Sequence, residues 1–171
     1  MNNDVDLETY EENMAAFVGV RRHISWKRKG LAHRNGMDEE NGWRANIEGA
    51  CGELAAAKFL NVYWDGSVDT FQTQSDLRGH VEVKTRTSHN RDLIVRSNEL
   101  EDKPDEIYIH VTGTAPNFKI RGWIKAKDVP ADPSWWRTYD DRPKAWFVPT
   151  EALNTDWEEY RRLVEPMMAT T

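Results

Sequence analysis

The chain has almost no thiol chemistry. Cys51 is its single cysteine among 171 residues, so no intramolecular disulfide can staple the fold and the composition suits a reducing compartment. Cys51 lies in an apolar helical run, where the role of a small buried hydrophobe outweighs that of a nucleophile. No apolar run approaches the length of a membrane span, and the acidic N-terminal residues are not those of a signal peptide. The expectation is a cytoplasmic protein with no membrane partner. Internal repeats and low-complexity segments are also missing. So is any excess of positive charge: the net charge is −6, which counts against a protein that coats nucleic acid nonspecifically.

What is present argues for a globular fold. Hydrophobic residues make up 39% of the chain and include 8 Trp, enough for one domain with a sizeable core. We read residues 1–171 as that domain, with a core over about 41–125, a helix and basic segment at 6–34, and Trp- and Pro-rich loops and a helix at 128–165. Charge is unevenly spread. Residues 1–20 carry five acids and no base, whereas 21–34 carry six Lys or Arg and no acid. Phosphate contact needs local positive potential and not a positive total.

Residues 6–22 predict a helix with Leu7, Tyr10, Met14, Phe17 and Val18 as one apolar stripe and Asp4 or Asp6 as its cap. The basic stretch after it serves equally as a phosphate-binding arm carrying Trp26 or as a solvated helix end. Residues 35–40 read as a loop, and 41–60 as a second helix packing through Ile47, Ala50, Cys51, Leu54 and Ala57. The glycines and alanines of that helix, Gly49 and Gly52 among them, cost helix propensity, which close approach to a sheet would offset. Strands are predicted at 68–73, 81–86, 93–96, 107–112 and 118–124, with turns at 88–92 and 113–117. Ser97 to Leu100 reads as a short helical turn ended by Lys103-Pro104. The Trp-rich segment 128–149 is expected to pack over the far side of the sheet, with base stacking as the other use of its aromatics. A helix at 155–164, capped by Thr155 and ended by Pro166, closes the domain, and the last five residues read as disordered.

The chemistry concentrates at residues 75–86, Ser-Asp-Leu-Arg-Gly-His-Val-Glu-Val-Lys-Thr-Arg. On a strand, successive side chains alternate faces, so Glu82, Lys84 and Arg86 share one face and Val81, Val83 and Thr85 the other. Gly79 can adopt the positive φ of a tight reversal, folding Asp76 back on the start of that strand. Two carboxylates and an ammonium would then converge. Hard divalent cations take such oxygen ligands together with waters and substrate phosphates. The competing reading is a charged face on a solvated edge strand.

Asp76, Glu82 and Lys84 together resemble the signature of the PD-(D/E)xK, or restriction-endonuclease-like, nuclease superfamily, with Ser75 where the family name has Pro. The resemblance extends upstream to Ile47-Glu-Gly-Ala-Cys-Gly-Glu-Leu-Ala-Ala-Ala-Lys-Phe-Leu60, whose Gly-Glu-Leu-Ala setting matches the helix on which many members carry another active-site Glu. It implies a restriction-endonuclease-like core within an α/β or α+β domain, a mixed central sheet flanked by helices. It also implies Mg2+-dependent hydrolysis of DNA phosphodiester bonds, with Mn2+ substituting. Asp76, Glu82 and the Val83 backbone carbonyl would bind the ion, Lys84 would position water, and Glu53 would hold a second metal or its water, with Glu48 in reserve. Arg86, Arg91 and Arg78 are the candidates for phosphate contact, while His89 reads as a turn residue. Because nucleases that cut both strands often act as dimers, a homodimer is a further expectation, and the small size suits a phage or mobile-element protein. Two other classes compete: a noncatalytic DNA- or protein-binding module on the same fold, and a metal-free hydrolase using Asp76 and Glu82 as acid and base, in which Lys84 has no task.

Overall fold

The computed structural model describes residues 2–30, 39–69, 74–78, 80–139 and 142–168. Along the chain these form β1 (Asp4–Asp6), α1 (Thr9–Arg28), α2 (Glu39–Leu60), β2 (Val81–Arg86), β3 (Leu93–Val95) and α3 (Ser97–Asp102). They are followed by β4 (Ile107–Thr114), β5 (Asn117–Lys125), β6 (Trp136–Arg137), β7 (Ala145–Val148) and α4 (Trp157–Met168). The architecture is a mixed sheet flanked by helices, in the order β1-β5-β4-β2, beside a second sheet ordered β3-β7-β6. In the first sheet β2 runs parallel to β4, pairing Glu82 with Tyr108 and Lys84 with His110, while β4–β5 and β5–β1 are antiparallel.

Both faces of the larger sheet are covered. Val81, Val83, Ile109, Val111 and Ile120 pack with Ala50, Ala55 and Ala56 of α2 and with Trp157, Tyr160 and Val164 of α4. On the other face Tyr108 and Ile124 join Leu93, Val95, Val129 and Val148 in a second core. This explains why β4 is buried over almost its whole length and reads as a near-continuous apolar run. Residues 128–149 cover the sheet's far side, as expected, but do so partly as β-structure: β6 and β7 pair, and Trp136 packs on Trp146 with ring centroids 5.1 Å apart.

Two close approaches seat the helices. A Cβ on Gly52 would meet the Thr85 Oγ1 at 2.0 Å, so α2 lies directly on β2 there. Gly49, by contrast, faces open space and has no such role. On α1, a Cβ at Gly19 would come 2.6 Å from the Ile47 Cα, so α1 crosses α2 through small residues.

That crossing overturns most of the expected stripe, of which Leu7 is buried and Val18 packs partly against the core. The buried residues of α1 are Ala15, Gly19 and His23, whereas Tyr10, Met14 and Phe17 are 64%, 55% and 64% exposed. Tight helix–helix contact favours small side chains, which carry little hydropathy signal. The cap is also different: Glu8 and Glu11 form a reciprocal capping box, and Asp4 and Asp6 lie in β1. Three further boundaries move. Glu39 and Glu40 already belong to α2. Asp156, not Thr155, accepts the first amide hydrogen bonds of α4, which runs through Pro166 to Met168. The expected strand at 68–73 falls mostly outside the described residues, and Val68 and Asp69 form a bend. Gly79, expected to carry the positive φ, is also outside them; His80 has φ 58°. Among the described residues no helix is long and apolar enough to cross a membrane.

Candidate active site

β2 is an edge strand, and a cleft of about 1120 Å³ opens along its free side. Glu53, Asp76, Glu82 and Lys84 all line it. They arrive by three routes. α2, seated by Gly52 on the Thr85 side of β2, brings Glu53. Glu82 and Lys84 point from the opposite face of that strand. Asp76 sits where the chain folds back, Leu77 bridging to Val81, and its Oδ2 accepts the Val83 amide at 2.8 Å. A strand residue aims its N–H and C=O toward the same edge, so the Val83 carbonyl is directed to the side that Asp76 occupies. Glu48 is elsewhere, its Oε2 accepting the Ala115 amide at 3.3 Å.

Each charged group has a partner. Arg22 grips Glu53 with two guanidinium nitrogens, at 2.5 and 2.9 Å, and the Trp64 indole donates to the same carboxylate at 3.1 Å. Lys103 donates to Glu82 Oε1 at 2.5 Å and to the Gln74 carbonyl at 2.9 Å. Lys84 donates to Glu99 at 2.6 Å. Asp76 Oδ1 and Glu82 Oε2 accept no hydrogen bond from the described residues.

Burial sets the electrostatics. It pushes the Glu53 carboxyl up to about 7, with Asp76 adding to the rise against the pull of Arg22 and Trp64. It pushes Glu82 up to about 8, again with Asp76 adding and with Lys84 and Lys103 opposing. Burial also disfavours the Lys84 ammonium, but Glu99, Glu82 and Asp76 outweigh it and hold the pKa above the ordinary value. Lys84 is therefore a persistent cation, fitted to orient a water or a phosphate oxygen and not to accept a proton.

Among the described residues no three His, Cys, Asp or Glu side chains form a ready-made metal cage. The geometry explains this, since Arg22 and Lys103 draw two of the carboxylates to themselves. The donor chemistry nevertheless fits a hard divalent ion: Asp76 disfavours the charged form of both neighbours, two carboxylate oxygens are open, and a carbonyl is directed alongside. Among the described residues the cleft lining contains six acids (Glu53, Asp69, Asp76, Glu82, Glu99, Asp102) and five bases (Arg22, Lys84, Arg96, Lys103, Lys144).

The expected phosphate contacts lie apart from this cleft. Arg78 is exposed in the turn before β2. Arg86 is partly buried at the far end of β2, where burial and the nearby Arg91 and Arg142 lower its pKa. Arg91 lies over the Tyr139 ring, 5.7 Å from its centroid. His89 is held by Thr112 at 2.9 Å. Lining residues that the sequence did not single out include Arg22, Glu99, Lys103 and Tyr108. Glu99 and Lys103 are four apart and were open to discovery as a same-face pair on a short helix. Tyr108 reads as sheet core in sequence, yet its hydroxyl is buried with no hydrogen-bond partner among the described residues. No family model, no curated protein and no solved structure matches the chain.

Proposed function

We propose that this protein is a metal-dependent deoxyribonuclease that hydrolyses phosphodiester bonds with the PD-(D/E)xK-type set Glu53, Asp76, Glu82 and Lys84. The observation that carries the reading is their meeting in one cleft at the open edge of β2, although they come from three chain segments. Asp76, Glu82 and the Val83 carbonyl hold Mg2+, or Mn2+ in its place, and Glu53 supports a second ion or its water. When bound, the ion lowers the pKa of a coordinated water and offsets charge on the scissile phosphate. Lys84, kept cationic and positioned by Glu99, orients the attacking water. Arg86 and Arg91, outside the cleft, serve the flanking backbone of a DNA substrate.

The second reading is a noncatalytic binding module on the same scaffold. It is favoured by one observation: Glu53 and Glu82 are already satisfied by Arg22 and Lys103. Incubating labelled DNA with Mg2+ or Mn2+ separates the two readings. The nuclease predicts cleavage by the wild type that Lys84→Ala loses by at least a hundredfold. Binding without cleavage in both proteins supports the module.

A further inference from the structure

We infer that the outward face of α1 is a self-association surface, on which α1 of a second copy of this chain packs antiparallel about a two-fold axis. Tyr10, Met14 and Phe17 are 64%, 55% and 64% exposed. Their steps of four and three place them within about 60° of arc on a helix turning 100° per residue, and Arg21 falls in the same arc. This is the spacing of a coiled-coil seam. The seam cannot turn inward, because the opposite face of the helix is occupied by Ala15, Gly19 and His23, pressed against α2.

The charge pattern selects the occupant. The N-terminal approach to α1 carries Asp6 and Glu8, and its C-terminal half carries Arg21 and Arg28; Asp4 and Lys29 are already paired with Lys119 and Asp69. Glu11 is already bound by Lys58 at 2.6 Å and contributes nothing outward. A parallel pair would set like charges together. An antiparallel pair sets the basic end of one copy by the acidic end of the other and also opposes the helix dipoles. Centring the two-fold between Met14 and Phe17 places Met14 of each copy against the other's Phe17, and Tyr10 against Arg21. That last pair is a guanidinium over an aromatic face. The interface is isologous, as a two-fold dimer requires.

Centred there, the two helices overlap over residues 9–22, about 20 Å, a contact smaller than that of a standard specific interface. The dimer is accordingly reversible, with a Kd on the order of 10 μM. Arg22 and Trp26, on the inner side of the same helix, line the cleft. Pairing α1 therefore yokes two clefts, with the two Arg22 backbones about 20 Å apart along the helix pair by the 1.5 Å rise. The inference rests on α1 alone and does not depend on the chemistry of the cleft.

Sedimentation equilibrium of the full chain from about 1 to 200 μM, at low and high salt, tests it. The expected result is a monomer–dimer equilibrium that weakens with salt and is weakened at least tenfold by Met14→Glu/Phe17→Glu. Circular dichroism reports whether that variant is folded, and its exposed positions make an unchanged spectrum the expectation. Mixing it with Met14→Lys/Phe17→Lys should restore a heterodimer, because each position faces the other across the axis. A wild type that stays monomeric at 200 μM overturns the inference, and if DNA cleavage persists the reading of the cleft stands. A dimer unaffected by either variant also overturns it, by placing the interface elsewhere.

Discussion

Lys103 Nζ lies 2.5 Å from Glu82 Oε1, while Lys84, two residues along the same strand face, is held instead by Glu99 at 2.6 Å. The strand's own Glu-x-Lys pair is thus split, and each member is matched by a residue from α3 or its C-terminal cap. Glu99 and Lys103 lie four positions apart, and the Lys103 amide donates to the Glu99 carbonyl at 3.0 Å, so one helical turn positions both. α3 is short: it reaches the site through charge, while its Leu100 packs against the second core.

Lys103 stands where an added cation would relieve Glu82. Lys103→Met should therefore tighten Mn2+ binding about five- to tenfold, read by titration calorimetry or by Tb3+ luminescence in its place. Without metal the same variant should lose roughly 1–3 kcal/mol of stability, because a buried carboxylate is left unmatched beside Asp76. An unchanged metal affinity would argue that Glu82 is not a ligand.

Glu53 is 6% exposed and depends on Arg22 for its charge partner. Arg22→Ala should cost about 2–4 kcal/mol in urea unfolding, since removing one member of a buried pair strands the other. The double variant Arg22→Met/Glu53→Gln should recover part of that loss, which a purely local packing defect at Arg22 would not allow.

The two glycines of α2 should respond in opposite directions. Gly52→Ala forces a Cβ to 2.0 Å from Thr85 Oγ1 and should destabilise by roughly 1–3 kcal/mol, with Thr85→Ala restoring part of it. Gly49→Ala meets nothing within 4 Å and should stabilise by about 0.5–1 kcal/mol through helix propensity. Thermal melts of the two single variants decide this without reference to function.

The carboxylates predict a pH dependence. Glu82 titrates near 8 and Glu53 near 7 in the fold, both above an ordinary value of 4.5. The folded state then holds more protons than the unfolded state between about 4.5 and 8, so metal-free stability should fall as pH rises through that window and level off above it. Glu82→Gln should flatten the upper part of the curve. Metal binding displaces the Glu82 proton, so Mn2+ affinity should rise by up to about tenfold per pH unit from 7 to 8, and more steeply below 7 where Glu53 also holds a proton.

Sequence pattern captured much of this protein. Alternation located β2 and β4, and β-favouring residues located β5, whereas Glu53 was preferred over Glu48 by resemblance alone. In β2 the local periodicity and the tertiary burial agree, because a strand with one dominant face has little choice of which side to bury, whereas β4 is buried on both faces. The same reasoning failed on α1, whose contact with α2 is made by Ala15 and Gly19. It also failed on the site's counter-charges, since Arg22 and Lys103 lie 31 and 21 residues from the acids they hold.

The chain by itself determined which segments carry acid, base and strand, because those are properties of residue type and spacing. Only the tertiary structure decided that α1 turns its large apolar residues outward, that α3 supplies partners to both Glu82 and Lys84, and that Arg86 and Arg91 stand outside the cleft. Those outcomes depend on how closely two backbones can approach and on where a long charged side chain finds its opposite in space, and neither quantity is written in local periodicity.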